Sequence, residues 1–120
     1  MLPKRYRLRK NAEFVATYAQ KKHVSNAYFT INLGKLKPNE DFISKAAFVV
    51  SKKVDKRAVV RNKIKRRMRE VYKAIMAEDQ KFPKWMSVII SAKTETKDIE
   101  FSVFNTELRT LIKEACEKYD

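Results

Sequence analysis

Cysteine, histidine and glycine are almost missing from this chain: Cys116, His23 and Gly34 are each the only residue of their kind. A lone cysteine closes no internal disulfide, and one cysteine with one histidine cannot build a multi-ligand zinc site, so both read as ordinary structural or surface residues. A lone glycine excludes the P-loop and the dinucleotide fingerprint, which need several glycines so that the backbone can approach phosphate closely. Any phosphate bound here must be held by side chains. No apolar stretch is long enough for a signal sequence or a membrane span, which predicts a cytosolic protein without a membrane partner. Acidic residues are scarce too, 14 against 28 Lys plus Arg, leaving a net charge of +14.

What is present suits one compact domain over residues 1–120. Of the 120 residues 44% are hydrophobic and 35% charged, and a disordered chain would carry fewer large apolar side chains. A field this positive around a small body favours a polyanionic partner. Phosphate backbones, anionic lipids and acidic proteins all answer such charge; nucleic acid is the first expectation.

The opening MLPKRYRLRK is a basic arm of about residues 1–10 leading into structure. Asn11 is placed to cap a first helix, Ala12 to about Gln20, with Phe14 and Tyr18 on one face and Lys21 and Lys22 near its C-terminal end. From Tyr28 to Leu33 the residues alternate, Phe29, Ile31 and Leu33 on one side and Tyr28, Thr30 and Asn32 on the other, as in a half-buried strand. A turn from Gly34 to Asp41 separates it from a second strand, Phe42 to Val50, and the pair reads as an antiparallel hairpin. Val60, Ile64, Met68, Val71, Tyr72 and Ile75 form an apolar stripe on a helix from Ala58 to about Ala77. Beyond Pro83, the run Trp85 to Ser91 predicts a buried strand beside the second one, reached through that crossover helix. A loop over Lys93 to Glu100 precedes a last amphipathic helix carrying Phe104, Leu108, Leu111, Ile112 and Ala115. The order α-β-β-α-β-α makes an α+β layer sandwich.

The helix from Ala58 has a second property. Arg61, Lys63, Lys65, Arg66, Arg67, Arg69 and Lys73 fill nearly everything outside its apolar stripe, with only Glu70 interrupting. Like charges three and four apart repel, and a bound polyanion relieves that repulsion. A face kept merely soluble mixes signs and tolerates lysine, whereas the planar fork of arginine suits phosphate oxygens. The preceding loop, Ser51-Lys52-Lys53 and then Val54-Asp55-Lys56-Arg57, extends the same surface. Asn62 is either an exposed, tolerated position or an amide that bonds a 2′-hydroxyl or base edge or braces a neighbouring arginine.

The segment SKKVDKRAVVRNKIKRRMRE resembles the signature of the bacterial ribonuclease P protein family, in which a strand ending in Ser-Lys-Lys leads into an arginine- and asparagine-rich helix. RLRKNAEF, NAYFTI and WMSVIISA extend the resemblance over most of the chain. It implies that Ser51, Lys52, Lys53, Arg57, Arg61, Asn62, Lys63, Lys65, Arg66 and Arg69 face the ribozyme RNA; Lys63 stands where many members carry arginine, keeping charge but losing the fork. It also implies a cleft between the first helix and the sheet for the single-stranded 5′ leader of precursor tRNA, matched by Phe14, Tyr18, Tyr28, Thr30 and Asn32. Exposed aromatics beside cations stack unpaired bases with little sequence preference, although Phe14 and Tyr18 also read as core residues. For the fold, the resemblance implies a mixed sheet with an unusual left-handed βαβ crossover, ribosomal protein S5 domain 2-like, against the usual right-handed rule. Catalysis then belongs to magnesium ions bound by the RNA, with none held by the protein alone, and the protein is expected as a monomer, one per RNA.

A protein nuclease would need a metal-binding carboxylate cluster or a histidine pair. Asp98 and Glu100 precede a helix, Glu78 and Asp79 follow one, and His23 is alone, so no catalytic or metal-ligating residue is assigned. The alternative is a ribosomal or ribosome-associated RNA-binding protein, which shares the composition but needs no groove for a mobile strand. A DNA-binding helix is disfavoured because its cations surround the helix instead of lining one readout face. A membrane-active helix is disfavoured because the apolar stripe is needed to cover the sheet.

Overall fold

A computed structural model describes residues 3–79 and 82–119; the first two residues of the expected arm lie outside it. The elements run α1 (Asn11–Ala19), β1 (Lys22–Ser25), β2 (Phe29–Leu33), β3 (Lys45–Val50), α2 (Ala58–Glu78), β4 (Ser87–Ala92) and α3 (Phe101–Lys118), with single 3-10 turns at Lys4–Tyr6 and Thr94–Thr96. The expected three helices and alternating strand are present. The α+β class holds, as one four-stranded mixed sheet with strand order β1-β2-β4-β3.

Two expectations about the sheet are corrected. β2 and β3 form no hairpin: β4 lies between them, antiparallel to β2 (Ile31 opposite Ile90) and parallel to β3 (Ala46 opposite Val88). The apolar run decides this, because Val88, Ile89 and Ile90 are all buried and a strand apolar on both faces belongs inside a sheet. The hairpin partner of β2 is instead β1, which sequence patterning missed because KHVS contributes one buried residue, Val24, and no alternation. Nor does Asn11 cap α1. It is the first helical residue, and the Glu13 carboxylate accepts the N–H of the capping residue Lys10 at 3.3 Å. α1 ends as Lys21 takes a left-handed conformation, φ 55°, where glycine is usual, and the chain turns straight into β1.

The core lies on one face of the sheet. Phe29, Ile31 and Leu33 of β2, Val88 and Ile90 of β4, and Ala46 and Val50 of β3 meet Ile64, Met68, Val71 and Tyr72 of α2 and Phe104, Leu108, Leu111 and Ile112 of α3. Phe104 packs edge-on against Phe29 with ring centroids 5.0 Å apart.

The opposite face carries α1. Ser87 at the start of β4 meets Thr17, the one buried residue of α1, at 2.5 Å between hydroxyl oxygens. A Cβ at Gly34 would collide with the same Ser87 hydroxyl, so a side chain there would have to turn that hydroxyl away from its contact with Thr17. The arm is held as well: Arg7 forms a parallel bridge to Ala46, and the buried Leu8 donates its N–H to the Ala46 carbonyl at 2.9 Å, so residues 7–8 border the outer edge of β3.

Candidate nucleic-acid interface

α2 divides its surface as the sequence predicts, with one refinement. At about 100° per residue, Asn62, Lys65, Arg66, Arg69 and Lys73 share an arc of roughly a quarter turn beside the apolar stripe. Asn62, Arg66 and Lys73 are exposed, and Lys65 and Arg69 half-buried. Lys63 and Arg67 sit on the other flank, where the Arg67 guanidinium lies 5.8 Å over the ring of Phe101 in α3. Of the ten expected RNA contacts, eight gather on the loop and the first arc; Arg61 reaches back to the loop carbonyls, and Lys63 stands beyond the edge of the arc, one turn before Arg66.

The loop before α2 is organised by a residue that the charge pattern hid. Asp55 is buried at 7% exposure and accepts the Arg57 N–H at 2.8 Å and two guanidinium contacts at 3.2 and 3.0 Å. Lys97, from the connection before α3, reaches the same carboxylate at 2.9 Å. The Arg57 guanidinium and then Lys97 hold the Asp55 carboxyl far below the usual carboxylate range. Arg61 completes the arrangement by donating to the carbonyls of Asp55 at 3.0 Å and Lys56 at 2.7 Å. Asp55 is the only acid between Ser51 and Arg69, and that isolation was the signal available in the sequence. Ser51, Lys52, Lys53 and Arg57 stay exposed around it. No acidic residue opposes the helix dipole in the first turn of α2, so the N-terminal end adds to the positive field.

The second expected site lies across the sheet. Thr30 and Asn32 point away from the main core, each half-buried, on the side where Thr17 meets Ser87. Phe14 and Tyr18 lie on one flank of Thr17 in α1. Phe14 is half-buried and Tyr18 is 46% exposed, so Tyr18 is no core residue. The opposite flank, with Glu13, Ala16 and Gln20, borders a cavity of about 290 Å³ closed by Gly34, Phe42 and Met86. Tyr28 stands apart from the other four: it precedes β2 and packs in part against the main core, while its carbonyl accepts the Lys93 N–H at 2.8 Å. Among the described residues, no three His, Cys, Asp or Glu side chains converge to hold a metal ion, and no helix is long and apolar enough to cross a membrane.

A small α+β domain with a pinned basic loop and helix on one face of its sheet and an aromatic-flanked polar surface on the other is a protein built to hold polyanions through side chains. The family model described as Ribonuclease P matches residues 2–116. Ribonuclease P protein components from Cyanothece sp. and Staphylococcus carnosus are 32% and 34% identical, over 96% and 95% of this chain and 95% and 93% of theirs. The solved Staphylococcus aureus RNase P protein superposes with a TM-score of 0.76 at 30% identity, covering 92% of this chain and 94% of that one. The Thermotoga maritima RNase P protein gives 0.73 at 25% identity, over 90% and 96%. The chain belongs to the ribonuclease P family, as a protein component of that tRNA-processing endoribonuclease.

Proposed function

We propose that this protein works through two separate RNA surfaces, one for the catalytic RNA and one for the 5′ leader of precursor tRNA. The Asp55-pinned loop and the α2 arc hold the RNA subunit by its phosphates. The face beneath α1, with Phe14, Tyr18, Thr30 and Asn32, receives the single-stranded leader. The observation that carries this reading is the placement of the two sets on opposite faces of one sheet, so both can be occupied at once.

Loop order supports the first assignment. The Asp55 carboxylate ties Arg57 and Lys97 together while Arg61 clasps the backbone carbonyls of Asp55 and Lys56, so the loop presents cations whose conformational entropy is already spent, which lowers the cost of binding phosphate. The forked guanidinium groups of Arg66 and Arg69 suit phosphate oxygens. An exposed tyrosine beside hydroxyl and amide side chains supports the second, because an aromatic face accepts any unpaired base and short polar groups serve its edges and the 2′-hydroxyl.

Magnesium, in this reading, sits in the RNA and activates water for attack on the phosphodiester. The chain, one copy per RNA, contributes differential affinity: screening phosphate lowers the magnesium needed, and gripping the leader favours precursor over mature product. The test is 5′-end processing of precursor tRNA by a bacterial ribonuclease P RNA with and without the protein, across magnesium concentrations at physiological salt. Restored cleavage at low magnesium, together with tighter binding of leader-bearing than mature tRNA, is expected. No gain for the RNA would overturn the reading in favour of a ribosome-associated role.

A further inference from the structure

The amino-terminal arm belongs to neither surface. We infer that it is a third binding element: the concave surface between the arm, the first turn of α1 and β3 takes the sugar–phosphate backbone of single-stranded RNA, the strand whose bases lie under α1, so the inference rests on the leader reading above.

Three observations converge on it. The hollow, about 630 Å³, is lined by Lys4, Arg5, Arg7, Arg9, Lys10 and Lys45. Its single acid, Glu13, is already paired with Lys45 at 2.9 Å and accepts the Lys10 N–H, and the Lys45 contact holds its carboxyl below the ordinary range. Lys4, Arg5, Arg9 and Lys10 thus face no second acid among the lining residues, and a concave cluster of one sign focuses its field on an anion.

The cations are also held in place, since the 3-10 turn at Lys4–Tyr6, the Arg7 bridge to Ala46 and the buried Leu8 fix the backbone that bears them. A free phosphate would use only one or two of these groups. A chain of phosphates spaced along a strand can use the row. Finally, the hollow opens on the α1 side. Lys45 stands opposite Ser87 in register and shares its face of the sheet, and Glu13, which it pairs with, lies in the first turn of α1 on the flank opposite Phe14, so a strand that leaves Phe14 and Tyr18 and crosses the start of α1 meets the arm.

Charge alone cannot be the explanation if position matters, and this sets the experiment. In the protein–RNA holoenzyme, a double variant Arg5→Gln with Arg9→Gln is compared with Lys113→Gln with Lys118→Gln, which removes equal charge from exposed positions of α3. Dissociation constants are measured for precursor tRNA carrying an extended leader and for mature tRNA, over a range of salt, with melting temperature checked for each variant. We expect the arm variant to bind the leader-bearing RNA about tenfold or more weakly, as two lost charge-assisted contacts imply. Its salt slope should fall by about 0.7 for each single-strand phosphate released. Mature tRNA and the α3 variant should show neither change. Arm and α3 variants behaving alike would overturn the inference, as would an equal loss for mature tRNA, which would assign the arm to structured RNA. A wild-type holoenzyme without leader preference would overturn the leader reading and this inference together, whereas leader preference kept intact in the arm variant would overturn the inference alone.

Discussion

The two faces of the sheet are made from the same strands but to opposite specifications. Towards α2 and α3, every second residue of β2 and β4 is apolar, Phe29, Ile31 and Leu33 against Val88, Ile90 and Ala92, none above 9% exposed. Towards α1, the intervening positions are Thr30 and Asn32, Ser87 and Ser91, with Ile89 the one large apolar residue, beneath a nine-residue helix whose only buried side chain is a threonine. The first face supplies the hydrophobic driving force of the fold. The second contributes little burial, which leaves its side chains available to a ligand and replaceable without loss of the structure.

The largest expected effect lies in stability. Phe104→Ala, which empties a fully buried ring site against Phe29, should cost about 3–5 kcal/mol in urea unfolding. Tyr18→Ala, at an exposed position, should stay within about 0.5 kcal/mol. Comparable losses would break the contrast between the faces. For binding, Arg66→Ala with Arg69→Ala should weaken affinity for the RNA subunit and lower its salt slope by about 0.9 per duplex phosphate lost, leaving leader preference unchanged. Tyr18→Ala should do the reverse, removing about 1–3 kcal/mol of the preference for leader-bearing RNA while sparing the RNA subunit.

The smallest effect concerns pH. The Asp55 carboxyl titrates below its ordinary value of 3.8 because Arg57 and Lys97 bond the charged form. A depressed carboxyl contributes stability that is complete above the unfolded value and is lost as pH falls through the folded one. Wild type should therefore lose stability below about pH 4 more steeply than Asp55→Asn, while the two stay parallel from pH 5 to 7. An equally steep acid limb in Asp55→Asn would show that this frame does not set it.

Much of this was legible because single segments carried complete signals. α2 declared both its buried stripe and its basic arc within one helical period, and β2 its alternation. β1 stayed hidden because four residues with one apolar side chain make no pattern, and the false hairpin followed from sequence adjacency, which is silent about a strand inserted later from Ser87–Ala92. At the site, residue types marked the basic surface, but the roles of Arg57 and Arg61 as braces depend on Asp55, and its link to Lys97 joins residues distant in sequence. Tyr28 was grouped with Thr30 and Asn32 by alternation, yet it lies just outside β2, where the alternation no longer fixes the side chain's direction.

The central claim is that two RNA surfaces act independently, and affinity measured in a crossed design tests it most directly. Holoenzymes carrying Tyr18→Ala, Arg66→Ala with Arg69→Ala, or all three changes would be titrated with precursor and mature tRNA, and each protein separately with the RNA subunit. Independent surfaces predict that Tyr18→Ala reduces only leader preference, that the arginine pair weakens only RNA-subunit binding, and that the combined losses add within about 0.5 kcal/mol. Loss of leader preference in the arginine variant, or strong non-additivity, would contradict the account and place both RNAs on one shared surface.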